Sequence, residues 1–228
     1  MNRPGPTSQG IQGAAAYGRL VVHPGGGRQE DDPAARSRVA LALLLAAMTM
    51  IFASIISAYL VRMDLSDWQA APLPQVLWIN TALLIGASIA LQAALGPAQA
   101  GDAGRLGRRL WVAGLCTAAF IAGQIAAWQQ LRAMGYGVAA TPGSSFFYLF
   151  TAIHGLHVLG GLVPWVRLLL RLRAVGAAGP QVTVRAGGDA AGTGEAAAAL
   201  TSALRLCAVY WHFLLGVWVL MLALMLLS

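Results

Sequence analysis

Five long apolar runs decide what this chain can fold into. They occupy residues 39–63, 75–96, 109–132, 145–173 and 201–227, and each meets the roughly 20 residues a helix needs to cross a bilayer. No water-soluble core absorbs that much apolar sequence. Of the 228 residues, 58% are hydrophobic and 10% charged, against about 25% charged in soluble domains. The chain therefore reads as an all-α integral membrane protein, a bundle of five transmembrane helices.

The arginines set the expected orientation. All fifteen basic residues are arginine, giving a net charge of +7, but they gather at the ends of the apolar runs, so no nucleic-acid partner is implied. Arg3, Arg19, Arg28, Arg36 and Arg38 precede the first run, Arg105, Arg108 and Arg109 lead into the third, and Arg171 and Arg173 end the fourth, with Arg185 beyond it. The connection after the first run carries Asp64 and Asp67, and residues 133–144 carry no charge. The positive-inside rule then places the N-terminus in the cytoplasm and Ser228 outside. Tyr59, Trp68, Trp78, Trp128, Tyr136 and Tyr148 fall at the outer interface, Trp111 and Trp165 at the inner one.

Two segments lie outside the apolar runs. Residues 1–38, rich in Gly, Pro, Ala and Arg and without a signal-like apolar core, are expected to form a disordered cytoplasmic tail. Residues 174–192 read as a Gly/Ala-rich cytoplasmic loop, with Thr193 as the cap of a helix that starts at GEAAAAL and runs into the last span.

Polar groups inside the runs carry the functional signal. None of the five holds Asp or Glu, which ion-coupled transporters and proton relays use. Instead there are neutral hydrogen-bonding side chains, among them Asn80, Thr81, Gln92, Gln124, His154, His157 and His212. Such groups join helices. In the fourth run Phe147, Thr151, His154, Val158, Gly161 and Trp165 share one helical face, with His157 beside it, and Pro164 is expected to bend the helix. In the last run Ala208, His212, Gly216, Val219 and Ala223 form a small-residue face suited to close helix approach. Trp211, Leu215, Trp218 and Leu222 form a bulky face suited to lipid or a partner.

Other chemistries have less support. Three histidines could ligate haem or copper, yet no carboxylate stands near in sequence to orient them. Packing and hydrogen bonding are the expected roles. A serine-protease reading would pair Ser144 or Ser145 with His212, but serines after Pro142-Gly143 are explained by a helix cap. Cys116 and Cys207 sit singly in separate spans and read as small apolar residues.

Four segments in order carry a family resemblance: FASIISAYLVRM (52–63), LPQVLWINTALLIGASIALQ (73–92), FFYLFTAIHGLHVLGGL (146–162) and VYWHFLLGVWVLMLAL (209–224). Together they resemble subunit III of the haem-copper cytochrome c oxidases, in its shorter five-helix form. The resemblance implies a non-catalytic subunit of a terminal oxidase in the bacterial plasma membrane. Such a subunit packs on subunit I, alongside subunit II, and holds phospholipid. It has no haem, copper or other metal of its own; haem and copper belong to subunit I. It carries His154, Gly155, His157 and Gly161 as helix-packing residues, and Tyr210, Trp211, His212 and Phe213 as the signature of the last helix. With Tyr59, Trp78, Asn80, Thr81, Gln92, Gly216 and Trp218 these form the candidate packing, partner or lipid contacts. The chain departs from the family at two acidic positions, where it has Met48 and Leu214-Leu215. Two other readings of the same helices are an accessory subunit of a nitric oxide reductase and an independent transporter or haem-binding membrane protein.

Overall fold

The computed structural model describes residues 33–177 and 190–228, with side chains over 34–174 and 197–228. Among these there are five helices and no strand: α1 (Pro33–Met63), α2 (Val76–Gln99), α3 (Ala103–Ala133), α4 (Pro142–Ala177) and α5 (Ala190–Leu226). All five are long and apolar enough to cross a membrane. Helices are what such sequences must form, because a backbone in hydrocarbon has to satisfy its own N–H and C=O groups.

The helices outrun the apolar runs at several ends. Helix α1 begins at Pro33, six residues before the expected start at 39, since Pro suits a first helical turn and Ala34 and Ala35 propagate it. Of the expected tail, residues 1–32 lie outside the described residues. The expected loop 174–192 is likewise shortened, because α4 continues to Ala177 and α5 starts at Ala190, ahead of Thr193. Thr193 therefore does not open the helix, which already includes Ala190 and Ala191. Residues 178–189 are not among those described. Helix α4 passes through Pro164 unbroken.

Breaks between helices have local causes. The α2–α3 connection is three residues, with Gly101 at φ 70° and Asp102 Oδ1 accepting from the Arg105 N–H at 2.8 Å. That left-handed φ suits a residue without Cβ. At the start of α4, Ser144 N–H donates to Thr141 Oγ1 (3.1 Å) and Thr141 N–H donates to Ser144 Oγ (3.0 Å), a reciprocal cap.

Helix α5 touches α1, α2 and α4; α2 pairs with α3, and α3 also meets α4. Helix α1 rests only on α4 and α5 among the described residues. Its apolar stretch is 11% buried, against 39% for those of α2, α3 and α4. It is the peripheral helix, and most of its surface faces away from this chain. Contacts at the ends order the bundle. Tyr59 at the end of α1 donates to Ser228 Oγ at 2.6 Å. Gly143 N–H reaches back to Gln69 O at 3.1 Å. At the opposite end the Arg173 guanidinium stands 5.4 Å from the Trp111 ring centre, joining the end of α4 to the start of α3.

Candidate functional site

His154 stands where four helices meet. Its ring is fully buried, 5.1 Å from Trp218 of α5, 5.8 Å from Phe120 of α3 and 6.5 Å from Phe52 of α1, centre to centre. Neither ring nitrogen has a hydrogen-bond partner among the described residues. His157, one turn on and half-buried, directs Nδ1 to Ile153 O at 2.8 Å and lies 5.6 Å from Phe52. No three His, Cys, Asp or Glu side chains converge as a metal cluster would require, among the described residues. Ser144 and Ser145 donate their hydroxyls to carbonyls of the preceding turn, including Gly137 O at 2.9 Å and Val138 O at 2.8 Å.

Around His154 the helices are joined by indole-to-threonine bonds. Trp218 Nε1 donates to Thr81 Oγ1 at 2.9 Å, Trp128 Nε1 to Thr151 Oγ1 at 2.9 Å, and Trp211 Nε1 to Thr117 Oγ1 at 3.4 Å. Each of these threonines gives its own proton to the carbonyl four residues back, at 2.7 to 2.8 Å. The hydroxyl oxygen is then free to accept from another helix. Trp165 Nε1 reaches Leu110 O at 3.0 Å, and Gly114 makes room for its ring. Asn80, fully buried, donates to Gln124 Oε1 at 3.3 Å, above Gly123.

Gly161 is the close-approach point between α4 and α5. A Cβ there would lie 2.6 Å from a Tyr210 ring carbon and 2.9 Å from the Trp211 ring. Across the same contact Tyr210 OH donates to His157 O at 2.7 Å. Tyr59 packs edge-on against Trp68 and Phe146, at 5.1 and 5.3 Å. Trp78 is 60% exposed on the bundle surface, and Phe213 is half-buried.

The last helix is turned the other way from expectation. Trp211, Leu214, Trp218, Met221 and Leu222 fill the interior and Leu215 is half-buried, while His212, Gly216, Val219 and Ala223 face outward; of the expected small face only Ala208 is buried. Helix α5 lies against three helices and reaches the fourth, α3, through side chains, and long side chains fill the spaces between them where small ones would leave voids. Buried indoles also find acceptors on α2 and α3. A Cβ added at Gly216 or Gly155 would accordingly meet no atom within 4 Å.

Two grooves open on the outside. One, of about 490 Å³, lies between α1, α4 and α5, with His157, Gly161, Arg167, Arg171, Cys207 and Tyr210 in its walls. The other, of about 590 Å³, lies between α2 and α5 and is walled by Gln92, Leu95, Arg205, Ala208, Val209 and His212.

No family model matches the chain. A probable cytochrome c oxidase subunit 3 from Nocardia farcinica is 30% identical to it over 180 residues, 77% of this chain and 79% of the relative. The chain belongs to the cytochrome c oxidase subunit III family. A probable subunit 3 from Mycobacterium bovis is 29% identical over 68% of this chain and 64% of its own length. The cytochrome bo(3) ubiquinol oxidase subunit 3 of Pseudomonas aeruginosa is 29% identical over 75% of this chain and 74% of its own. In this subunit III, Met48 and Leu214 are each 1% exposed, while Leu215 beside Leu214 is half-buried. The Trp–Thr pairs were not read from the sequence. The signal was there, in threonines at mid-span, but their partners lie up to 137 residues away.

Proposed function

We propose that this chain is the non-catalytic subunit III of a proton-translocating terminal oxidase that takes electrons from cytochrome c and reduces oxygen to water. Its own share is structural: it packs on the haem-bearing subunit I, in a complex with subunit II, and holds lipid. The observation that carries the reading is the match to the Nocardia farcinica subunit 3 over most of both chains. The relatives above are named for oxidases, and none of them for a nitric oxide reductase. The Trp–Thr bonds and the Asn80–Gln124 pair support a packing role, because they join helices of this chain.

The groove between α1, α4 and α5 is the lipid site in this reading. Its apolar walls suit acyl chains, and Arg167 and Arg171, one turn apart on α4, suit a phosphate. The arginine-bearing end is cytoplasmic, by the positive-inside bias, in a bacterial plasma membrane.

Purifying the tagged chain from its own membranes in mild detergent tests the proposal. Haem absorbance and oxygen uptake with reduced cytochrome c should travel with the tag. Recovery as a lone polypeptide would overturn it.

A further inference from the structure

The α2/α5 groove has a chemistry that lipid tails cannot satisfy. Gln92, Arg205 and His212 all face outward there. On helices rising 1.5 Å per residue, Gln92 lies roughly 24 Å from the start of α2 and His212 roughly 21 Å from the end of α5. Both depths fall inside an apolar slab about 30 Å thick. Gln92 makes no side-chain hydrogen bond among the described residues, and Arg205 no ion pair. His212 points Nδ1 at Ala208 O, 2.6 Å away. That nitrogen carries a proton, because the carbonyl can only accept, and in the neutral ring Nε2 is then an acceptor. Hydrocarbon offers partners to none of these groups, and leaving them unmet is costly.

The other outward faces differ. Thr49 and Ser54 on α1 are exposed, but each hydroxyl is bonded to the carbonyl four residues back, at 2.8 Å. On α3 the outward residues at mid-span include Val112, Leu115 and Ile125, and the exposed Gln129 and Gln130 come only within about its last turn and a half, beside the outer interface. Ser57 on α1 is exposed without such a bond, but it is a single short hydroxyl, and neither surface gathers several long polar side chains in one groove. Beyond His212 the outward stripe of α5 continues with Gly216 and Ala223, where another backbone can come close.

We propose that the α2/α5 groove seats a transmembrane helix of the partner subunit. That helix offers an acid or a carbonyl oxygen to Arg205 and, roughly 10 Å deeper, a hydrogen-bond donor to Nε2 of His212. Gln92 supplies a second donor and acceptor beside it. A lipid headgroup could meet Arg205, but Gln92 and His212 lie roughly 6 and 9 Å inside the inner edge of the slab, where acyl chains surround them. The proposal rests on the reading of the chain as an oxidase subunit and names which of its faces carries the partner.

Photo-cross-linking in native membranes tests it. A benzophenone side chain is placed at Val209 or Val219 on the α5 stripe, and at Leu115 or Ile125 on α3, all of them exposed. Adducts to the haem-bearing subunit are expected from Val209 and Val219 and not from α3. The double change Gln92→Leu with His212→Leu should lower co-purification of that subunit about tenfold, as losing roughly two interhelical hydrogen bonds predicts. Lipid adducts alone at Val209 and Val219, equal adducts from both faces, or haem-subunit adducts from α3 only would overturn the assignment of this face. Those results would leave the oxidase reading standing. If no position captures the haem-bearing subunit and none co-purifies, the oxidase reading itself fails, and this proposal with it.

Discussion

The imidazole of His154 lies against the indole of Trp218, ring centres 5.1 Å apart and planes inclined by 40°. The same indole donates its N–H to Thr81 at 2.9 Å and meets Phe120 edge-on at 5.1 Å. One side chain of α5 thus holds α2, α3 and α4 together at mid-membrane.

Truncating that side chain separates its two contributions. Trp218→Phe keeps most of the ring contact and loses the bond to Thr81, so a loss of about 0.5–1.5 kcal/mol is expected. Trp218→Ala removes the packing as well and should cost about 3–5 kcal/mol. Thermal unfolding in detergent micelles checks both. Equal losses for the two variants would assign the whole effect to the hydrogen bond.

His154 behaves differently because its nitrogens are buried without partners. An apolar residue of similar size forfeits no hydrogen bond there and relieves the burial of two polar atoms. His154→Leu is expected to leave the melting temperature unchanged or raise it. His154→Asn keeps a buried polar group, loses the ring contacts, and should lower it. A loss above ~2 kcal/mol for the Leu variant would show that the imidazole is satisfied after all.

What could be read ahead of the structure follows from the same physics. The five spans were legible because hydrocarbon thickness demands long apolar runs. The face each span turns inward was far less so. In a soluble helix the polar side marks the outside, but on α5 both Trp211 and Val219 are apolar and only packing tells them apart. Small residues suggested the inner face, and at Gly161 that rule held. At Gly216 it failed, because the neighbours of α5 are reached by Trp211 and Trp218 on the other side. Nothing local in the sequence marks Thr117 or Thr151 as an acceptor; α5 and α3 bring indoles to them.

The two kinds of glycine give a direct comparison. Gly161→Ala pushes a Cβ into Tyr210 and Trp211, and should cost about 1–3 kcal/mol by forcing α4 from α5. Gly161→Leu should be worse and should reduce assembly of the complex. Gly155→Ala meets open space, so it should be neutral or stabilise by up to ~1 kcal/mol through helix propensity. Circular dichroism melts of the variants side by side decide the matter; equal losses at both sites would remove the close-approach role of Gly161.

At the α1–α2 connection Arg62 grips Asp67 with both guanidinium nitrogens, at 2.5 and 2.6 Å. These hydrogen bonds, with the arginine's charge, hold the Asp67 carboxyl below the usual carboxylate range. A lowered folded-state value means that the pair stabilises the fold above the unfolded carboxyl's titration, near pH ~4. That contribution disappears as pH falls through the lower folded value. Because the pair is exposed, the effect should be small. Melting curves from pH 6 down to pH 3 should show a slightly steeper acid loss for the parent chain than for Asp67→Asn. Identical acid limbs would mean the pair does not form in solution.

Asn80 and Gln124 pose the sharpest test of buried polar packing. Their amides share one hydrogen bond at 3.3 Å, and Asn80 Oδ1 and Gln124 Nε2 have no further partner among the described residues. Either single change to Leu strands the remaining amide in the interior, and should cost about 1–3 kcal/mol. The double change removes both amides, and the Leu at position 80 takes the place against Gly123 that the Asn80 amide fills. The double variant is therefore expected to be more stable than the sum of the single losses allows, by at least ~1 kcal/mol, measured by denaturant or thermal unfolding in micelles. If the three losses add within ~0.5 kcal/mol, the two amides do not act as a unit, and α2 and α3 are held together by apolar contact alone.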